Sequence, residues 1–305
     1  MHHEFALDPE CVNDYAALKY VVDQCGFEHG RLISRFPGKW EREAMKACKI
    51  QGPKRTAIFE KIIRRMKDKL VVANRDYDAG SPWLSNATRQ HETRPFHAII
   101  ALANPKNHET VLIADEIEET TPLWCIQRER IVPRKAQDLA CCARKLLNVS
   151  EEIVLVDRNF KPEMRRFSET LSWIVNYAVE NNHKPKRLEL HVEYKETSGE
   201  VSPPLDLWQE RCRKHLTRCL PVDMQLEIIR WQGIDDGDRP HARYILTERG
   251  GIRFDYGLDE WEGEGQTTDV SILGRTVYEK RWRDYQKESA AFRPIDTIVV
   301  NGVKR

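Results

Sequence analysis

The sequence predicts an α/β protein, a mixed sheet covered by helices and preceded by a mainly helical N-terminal region. Three observations carry this. Apolar residues recur at helical spacing through residues 1–94, short apolar runs alternate with helical stretches over 96–231, and the strands after Arg243 are separated by glycine-rich turns. Residues 1–94 are thus expected to form the helical region. Residues 95–305 are expected to form the α/β domain, opening on a β-hairpin over 95–131.

Asp8 reads as an N-cap with Pro9 at the first helical position, and Cys11, Tyr15, Leu18, Val22 and Cys25 then line one face before Gly26. A second helix is predicted over 56–72, where Ile58, Phe59, Ile62, Ile63, Met66 and Leu70 fall on one side. Arg64, Arg65, Lys67 and Lys69 give it a positive strip, tempered only by Glu60 and Asp68; such a strip is either a solvated face or a contact for phosphates. Strands at 96–103 and 110–114 flank Asn104-Pro105-Lys106-Asn107-His108, which reads as their hairpin loop. Helices are predicted at 134–147, 162–179 and 205–216, alternating with strands at 153–156, 188–192 and 224–231. Strands at 243–247, 252–256 and 270–273 precede a closing helix at 276–289. Gly250-Gly251 is expected to make a turn that needs positive φ.

At 305 residues with 40% hydrophobic content, the chain can fill a core. Lys+Arg 49 nearly cancels Asp+Glu 48, so any polyanion must be bound by a local patch and not by a global field. No apolar run approaches the roughly 20 residues of a membrane span, and Met1-His2-His3-Glu4 lacks a signal-peptide pattern, so a cytoplasmic protein without a transmembrane segment is expected. The eight cysteines show no CxxC and no zinc spacing, and are read as reduced thiols. No Walker loop, dinucleotide fingerprint or Gly-x-Ser-x-Gly elbow is present, which excludes nucleotide-driven and serine-hydrolase chemistry; neither cofactor nor metal is expected.

The most informative stretch is His241-Ala242-Arg243, followed by Glu248, Gly250-Gly251 and Gly257-Leu258-Asp259. Residues two apart on a strand face the same way, so His241 and Arg243 would present a nucleophile or proton carrier beside a permanent cation. That pairing suits a phosphate. Together with Ile153-Val154-Leu155-Val156-Asp157-Arg158-Asn159-Phe160, the stretch resembles the phospholipase D superfamily, and more closely the phospholipase D-like domain at the C-terminus of MIT-domain proteins and related bacterial proteins. The resemblance covers about residues 132–290. It implies a metal-independent phosphodiesterase or nuclease in which two histidines meet, here requiring a homodimer, with His241 as nucleophile, Arg243 stabilising charge, and Glu248 or Asp259 orienting. The chain departs from the pattern in three places: Arg243 stands for Lys, Glu248 for Asp, and the Gly-Ser-x-Asn that normally follows is absent. A degenerate domain that binds phosphodiesters is the reading these departures favour.

Candidate phosphate ligands are Arg158, Asn159, Arg165 and Arg166, beside a helix N-terminus, and His191 on the next strand. If the strands at 153–156, 188–192 and 242–247 are neighbours, Asp157, His191 and His241 converge at one sheet edge. The partner expected is nucleic acid, with a bacterial defence or mobile-element role implied by the relatives alone. An anionic membrane surface, implied by the MIT-associated relatives, and a purely structural place in a larger assembly are the alternatives.

Overall fold

A computed structural model describes residues 1–72, 74–196, 201–233, 243–288 and 291–303. The chain is α/β and divides into two compact units, Met1–Arg128 and Glu129–Arg305. His241 lies outside the described residues.

The first unit contains β1 (His3–Leu7), α1 (Tyr15–Gln24), β2 (Arg31–Ser34), α2 (Trp40–Ala47), α3 (Pro53–Met66), β3 (Leu70–Val71), α4 (Trp83–Thr93), β4 (Ala98–Ala101) and β5 (Val111–Ile113). Its five strands are all parallel in the order β3-β2-β1-β4-β5, a doubly wound arrangement. Phe5 and Leu7 face a core shared with α1, α2 and α3, whereas Ala6 faces one shared with Ala87 of α4 and Phe96. Burial on both faces explains the strands' apolar character.

This unit corrects two expectations. The region 1–94 is not mainly helical, because three parallel strands run through it, and β4 and β5 join them so that the unit continues to Arg128. Nor does the expected hairpin over 95–131 form. Ile99 pairs with Val111 in parallel register, and the Asn104 amide donates to the carbonyls of His108 and Val111, bending the chain back so that β5 enters in the same direction as β4.

The helices are also redistributed. Asp8 caps a short 3-10 turn, Pro9–Val12, and Asp14 caps α1 separately by accepting from the Ala17 N–H at 2.9 Å. The second helix begins three residues earlier than expected, at Pro53, and Leu70–Val71 beyond its end is strand.

The second unit comprises β6 (Glu129–Pro133), α5 (Ala136–Asn148), β7 (Glu152–Val156), α6 (Arg165–Ala178), β8 (Arg187–Glu193), α7 (Leu205–Leu216), β9 (Gln225–Gln232), β10 (Arg243–Thr247), β11 (Gly251–Phe254), β12 (Thr267–Ile272), α8 (Arg275–Asp284) and β13 (Arg293–Asn301). These strands form one mixed sheet in the order β13-β9-β8-β7-β10-β11-β12-β6. At its centre β7, β8 and β9 are parallel, so their carboxyl ends share one edge. β10 runs antiparallel to β7, with Tyr244 opposite Val156, so its beginning arrives at that same edge. The predicted adjacency of these strands is observed.

Gly250-Gly251 does connect β10 to β11, but neither glycine is among the positive-φ residues. Gly251 is required by close packing instead: a Cβ there would lie 2.7 Å from Leu246 and 2.9 Å from Leu273.

Candidate phosphate-binding site

β7 ends at Val156 because Asp157 turns the chain. The Asp157 N–H still donates to the His191 carbonyl at 3.1 Å, and its carboxylate accepts from the Asn159 N–H at 3.0 Å. The second carboxylate oxygen accepts from the Leu258 N–H at 2.6 Å, which ties the Gly257-Leu258-Asp259 loop to this edge. Gly257 permits the approach, since a Cβ there would sit 2.0 Å from an Asp259 oxygen and 3.2 Å from an Asp157 oxygen. Burial raises the pKa of Asp157; the two N–H donors and the nearby charge of Arg243, the first residue of β10, act against it.

Asp259 closes the loop onto the rest of the unit. One oxygen takes Arg134 Nη2 at 3.0 Å and the other lies 3.3 Å from Arg166 Nε, with Asp259 and Arg134 both buried. The carboxylate therefore positions Arg166 at the start of α6.

Beyond these groups a cavity of about 310 Å³ opens at the carboxyl ends of β7, β8 and β9, where sheets of this kind commonly hold ligands. The turn after β7 supplies Arg158, Asn159 and Lys161, and the approach to α6 supplies Glu163 and Arg166. Glu193 and Lys195 come from β8 and its exit, Trp208 and Arg211 from α7, and Arg230 from β9. Among the described residues, six cations thus face two carboxylates. Glu193 forms an ion pair with Arg158 at 3.0 Å and Glu163 accepts from Arg211 at 2.8 Å, while Arg230 is held by Asp296 at 2.7 Å and the Pro203 carbonyl at 2.7 Å. Trp208 is buried, and its indole N–H has no acceptor among the described residues. A larger cavity of about 640 Å³ lies at the opposite ends of β8 and β9, but among the described residues its cations are Lys184 and Lys186, and Lys186 is paired with Glu151 at 2.6 Å.

The structure gathers Arg158, Asn159 and Arg166 as the sequence predicts, and brings Arg243 to the same edge through Asp157. Two expected ligands, Arg165 and His191, and the expected orienting residue Glu248 lie outside the cavity. Arg165 lies one position from Arg166, a 100° rotation on the helix, and pairs with Glu169 at 2.9 Å with its side chain 85% exposed. His191 is sealed: its Nε2–H donates to Glu189 at 3.0 Å and its Nδ1 accepts from Trp231 Nε1 at 2.7 Å. Glu248 accepts from the N–H groups of Glu151 and Glu152, each at 3.0 Å, at the start of β7. Five residues of strand separate it from Arg243, roughly 16 Å, so the two do not share a phosphate. Lys161 belongs to the same basic cluster of the sequence as Arg158 and Arg166, whereas Lys195, Arg211 and Arg230 come from separate elements that no local spacing links.

The His191 cluster makes the fold acid-sensitive. Burial lowers the pKa of His191 and is opposed by Glu189; burial alone would raise Glu189, but hydrogen bonds from His191 and Arg187 hold it at about 2. Both folded-state values lie below the unfolded ones, so both groups stabilise the fold at neutral pH and lose that contribution on acidification, His191 below about 6.5 and Glu189 between about 4.5 and 2. Asp157, raised by burial, acts in the opposite sense. Stability is expected to fall between pH 7 and 5, and denaturant titrations should show a shallower fall in His191→Gln than in the native chain. An equal slope would contradict the assignment of neutral His191.

No protein-family model and no curated protein sequence matches the chain. Similar solved structures include TrmBL2, an archaeal chromatin protein with a novel mode of DNA binding, at 14% identity and TM-score 0.27 over 60% of this chain and 59% of that one. Another is polyphosphate kinase from Porphyromonas gingivalis, at 15% identity and TM-score 0.32 over 77% of this chain and 36% of that one. The chain thus spans about three fifths of the first and about one third of the second. No described helix is long and apolar enough to cross a membrane.

Proposed function

We propose that the second unit is a degenerate phospholipase D-like domain that binds phosphodiesters, and that its polymeric ligand is nucleic acid. The cationic cavity at the carboxyl ends of β7, β8 and β9 carries this reading. A phosphodiester anion entering it exchanges places with Glu193 and Glu163, so that the planar guanidinium groups of Arg158 and Arg211 turn to its oxygens. Arg166, fixed by Asp259, forms the wall beside them. The Trp208 N–H, buried without an acceptor among the described residues, gains one from the ligand.

Fluorescence anisotropy of a labelled oligonucleotide across a salt series tests the proposal. Binding that weakens linearly in log salt and falls about 100-fold in Arg158→Ala/Arg211→Ala supports it; binding indifferent to that pair removes it. The same reactions run with EDTA and with His241→Ala report on the phosphodiesterase alternative. Cleavage that survives His241→Ala excludes the two-histidine reaction.

A further inference from the structure

We propose that the outer face of α3 in the first unit is a second docking surface for the same class of ligand, the phosphate backbone of a nucleic acid. The inference extends the reading above to a different unit and rests on its own observations. α3 carries Lys54, Arg55, Lys61, Arg64 and Arg65 against one acid, Glu60, and all five cations are exposed. Because the helix begins at Pro53, Lys54 and Arg55 belong to it, which the apolar periodicity alone does not reveal.

The helix also sorts these charges. Lys54, Lys61 and Arg65 are spaced i, i+7 and i+11, which places them within roughly 40° of one another in a stripe roughly 16 Å long. That length spans about five nucleotides of duplex at 3.4 Å each. Lys69, by contrast, leaves the strip: it is buried, and its ammonium is held by the Cys25 carbonyl and Glu28. Among the described residues, none of the five cations of α3 has an ion pair, although most arginines around the second unit's cavity do. A stripe of like charges with no carboxylates to displace meets a polyanion at little desolvation cost and gains from counterion release.

The same geometry decides between two polyanionic surfaces. A basic amphipathic helix binds a membrane by inserting its apolar face. Here Phe59, Ile62, Ile63 and Met66 are consumed by the core of the first unit, and Ile58, at 46% exposure, is the one large apolar side chain that α3 leaves outside. One side chain is too little to anchor a helix in a bilayer. The surface is suited to a ligand that offers phosphates without requiring burial, which describes a nucleic-acid backbone.

The test uses the full chain and a short mixed-sequence DNA duplex, read by anisotropy across a salt series. Lys54→Ala/Lys61→Ala/Arg65→Ala is expected to weaken binding by about 100-fold at about 0.05 M salt, a gap that closes as salt rises, and to reduce the slope of log K against log salt by about 2.7, at about 0.9 for each phosphate no longer neutralised. Its thermal melt should match the native chain, because all three side chains are solvated. An unchanged slope overturns the inference. The cavity pair Arg158→Ala/Arg211→Ala separates the two readings: loss of binding there with no effect of the α3 triple refutes this inference alone, whereas an α3 effect with no cavity effect sustains it and refutes the cavity reading. Vesicles containing phosphatidylserine supply the remaining arm. Co-sedimentation that depends on the α3 cations, without duplex binding, assigns the face to a membrane and overturns the choice of nucleic acid.

Discussion

Replacing Asp259 by alanine is expected to destabilise the second unit by about 3–5 kcal/mol, the range found when one partner of a buried ion pair is removed. The reason lies in what remains. Arg134, its side chain 8% exposed, would keep its charge and lose the carboxylate 3.0 Å away, and rings of Tyr256 and Trp261 at 5.0 and 5.4 Å cannot replace it. Arg166, 33% exposed, would recover water more easily and contribute less. For a unit of this size the loss corresponds to a melting temperature lower by roughly 10 °C, at roughly 2–4 °C per kcal/mol. Arg134→Ala should cost a similar amount. The double variant should cost clearly less than the sum, because the second substitution removes the charge that the first one stranded. Additive losses would show that the pair is not coupled.

Arg158→Ala/Arg211→Ala is expected to lower oligonucleotide affinity by about 100-fold, or roughly 3 kcal/mol, because two charge-assisted hydrogen bonds to the ligand are removed. Stability should change less than affinity, since Arg158 and Arg211 are 23% and 37% exposed, and Glu193, though 11% exposed, keeps Lys195 at 3.8 Å. The opposite sign is expected from Glu163→Gln/Glu193→Gln. With no carboxylate to displace, both guanidinium groups meet the phosphate at once, and affinity should rise about tenfold. A charge pair that existed only to hold the fold would show the reverse: unchanged binding and a lower melting temperature in both variants. The two pairs of substitutions therefore separate a ligand site from a structural salt-bridge cluster.

How far the sequence reveals these features follows from how local each one is. The alternation from β7 through α6, β8, α7 and β9 is legible because each element carries its own period and ends in its own turn. β6 and β13 escape notice because they are edge strands, paired on one side only; Ile131 of β6 is 73% exposed, and β13 carries Pro294 and charged residues where a central strand would be apolar. In the first unit, β2 and β3 are four and two residues long, too short to show any period, and β1 disguises its apolar run with His3 and Glu4.

The site divides in the same way. Arg158, Asn159 and Arg166 follow one strand and can be read from one turn. Arg211 and Arg230 reach the cavity only through the arrangement of the sheet. Arg165 and Arg166 illustrate the limit most sharply, for adjacent arginines look equivalent in the chain, and helix phase alone sends one to solvent and the other to the wall. His191 is likewise a plausible ligand by position, but alternation along β8 turns its ring inward, against Trp231.

A crystal structure of the full chain with a bound dinucleotide is the most direct test of the central claim. The phosphate is expected inside the cavity at the ends of β7, β8 and β9, within hydrogen-bond distance of the Arg158 and Arg211 guanidinium groups, with Glu193 and Glu163 turned away. A phosphate seated elsewhere, with both arginine–glutamate pairs intact, would contradict it.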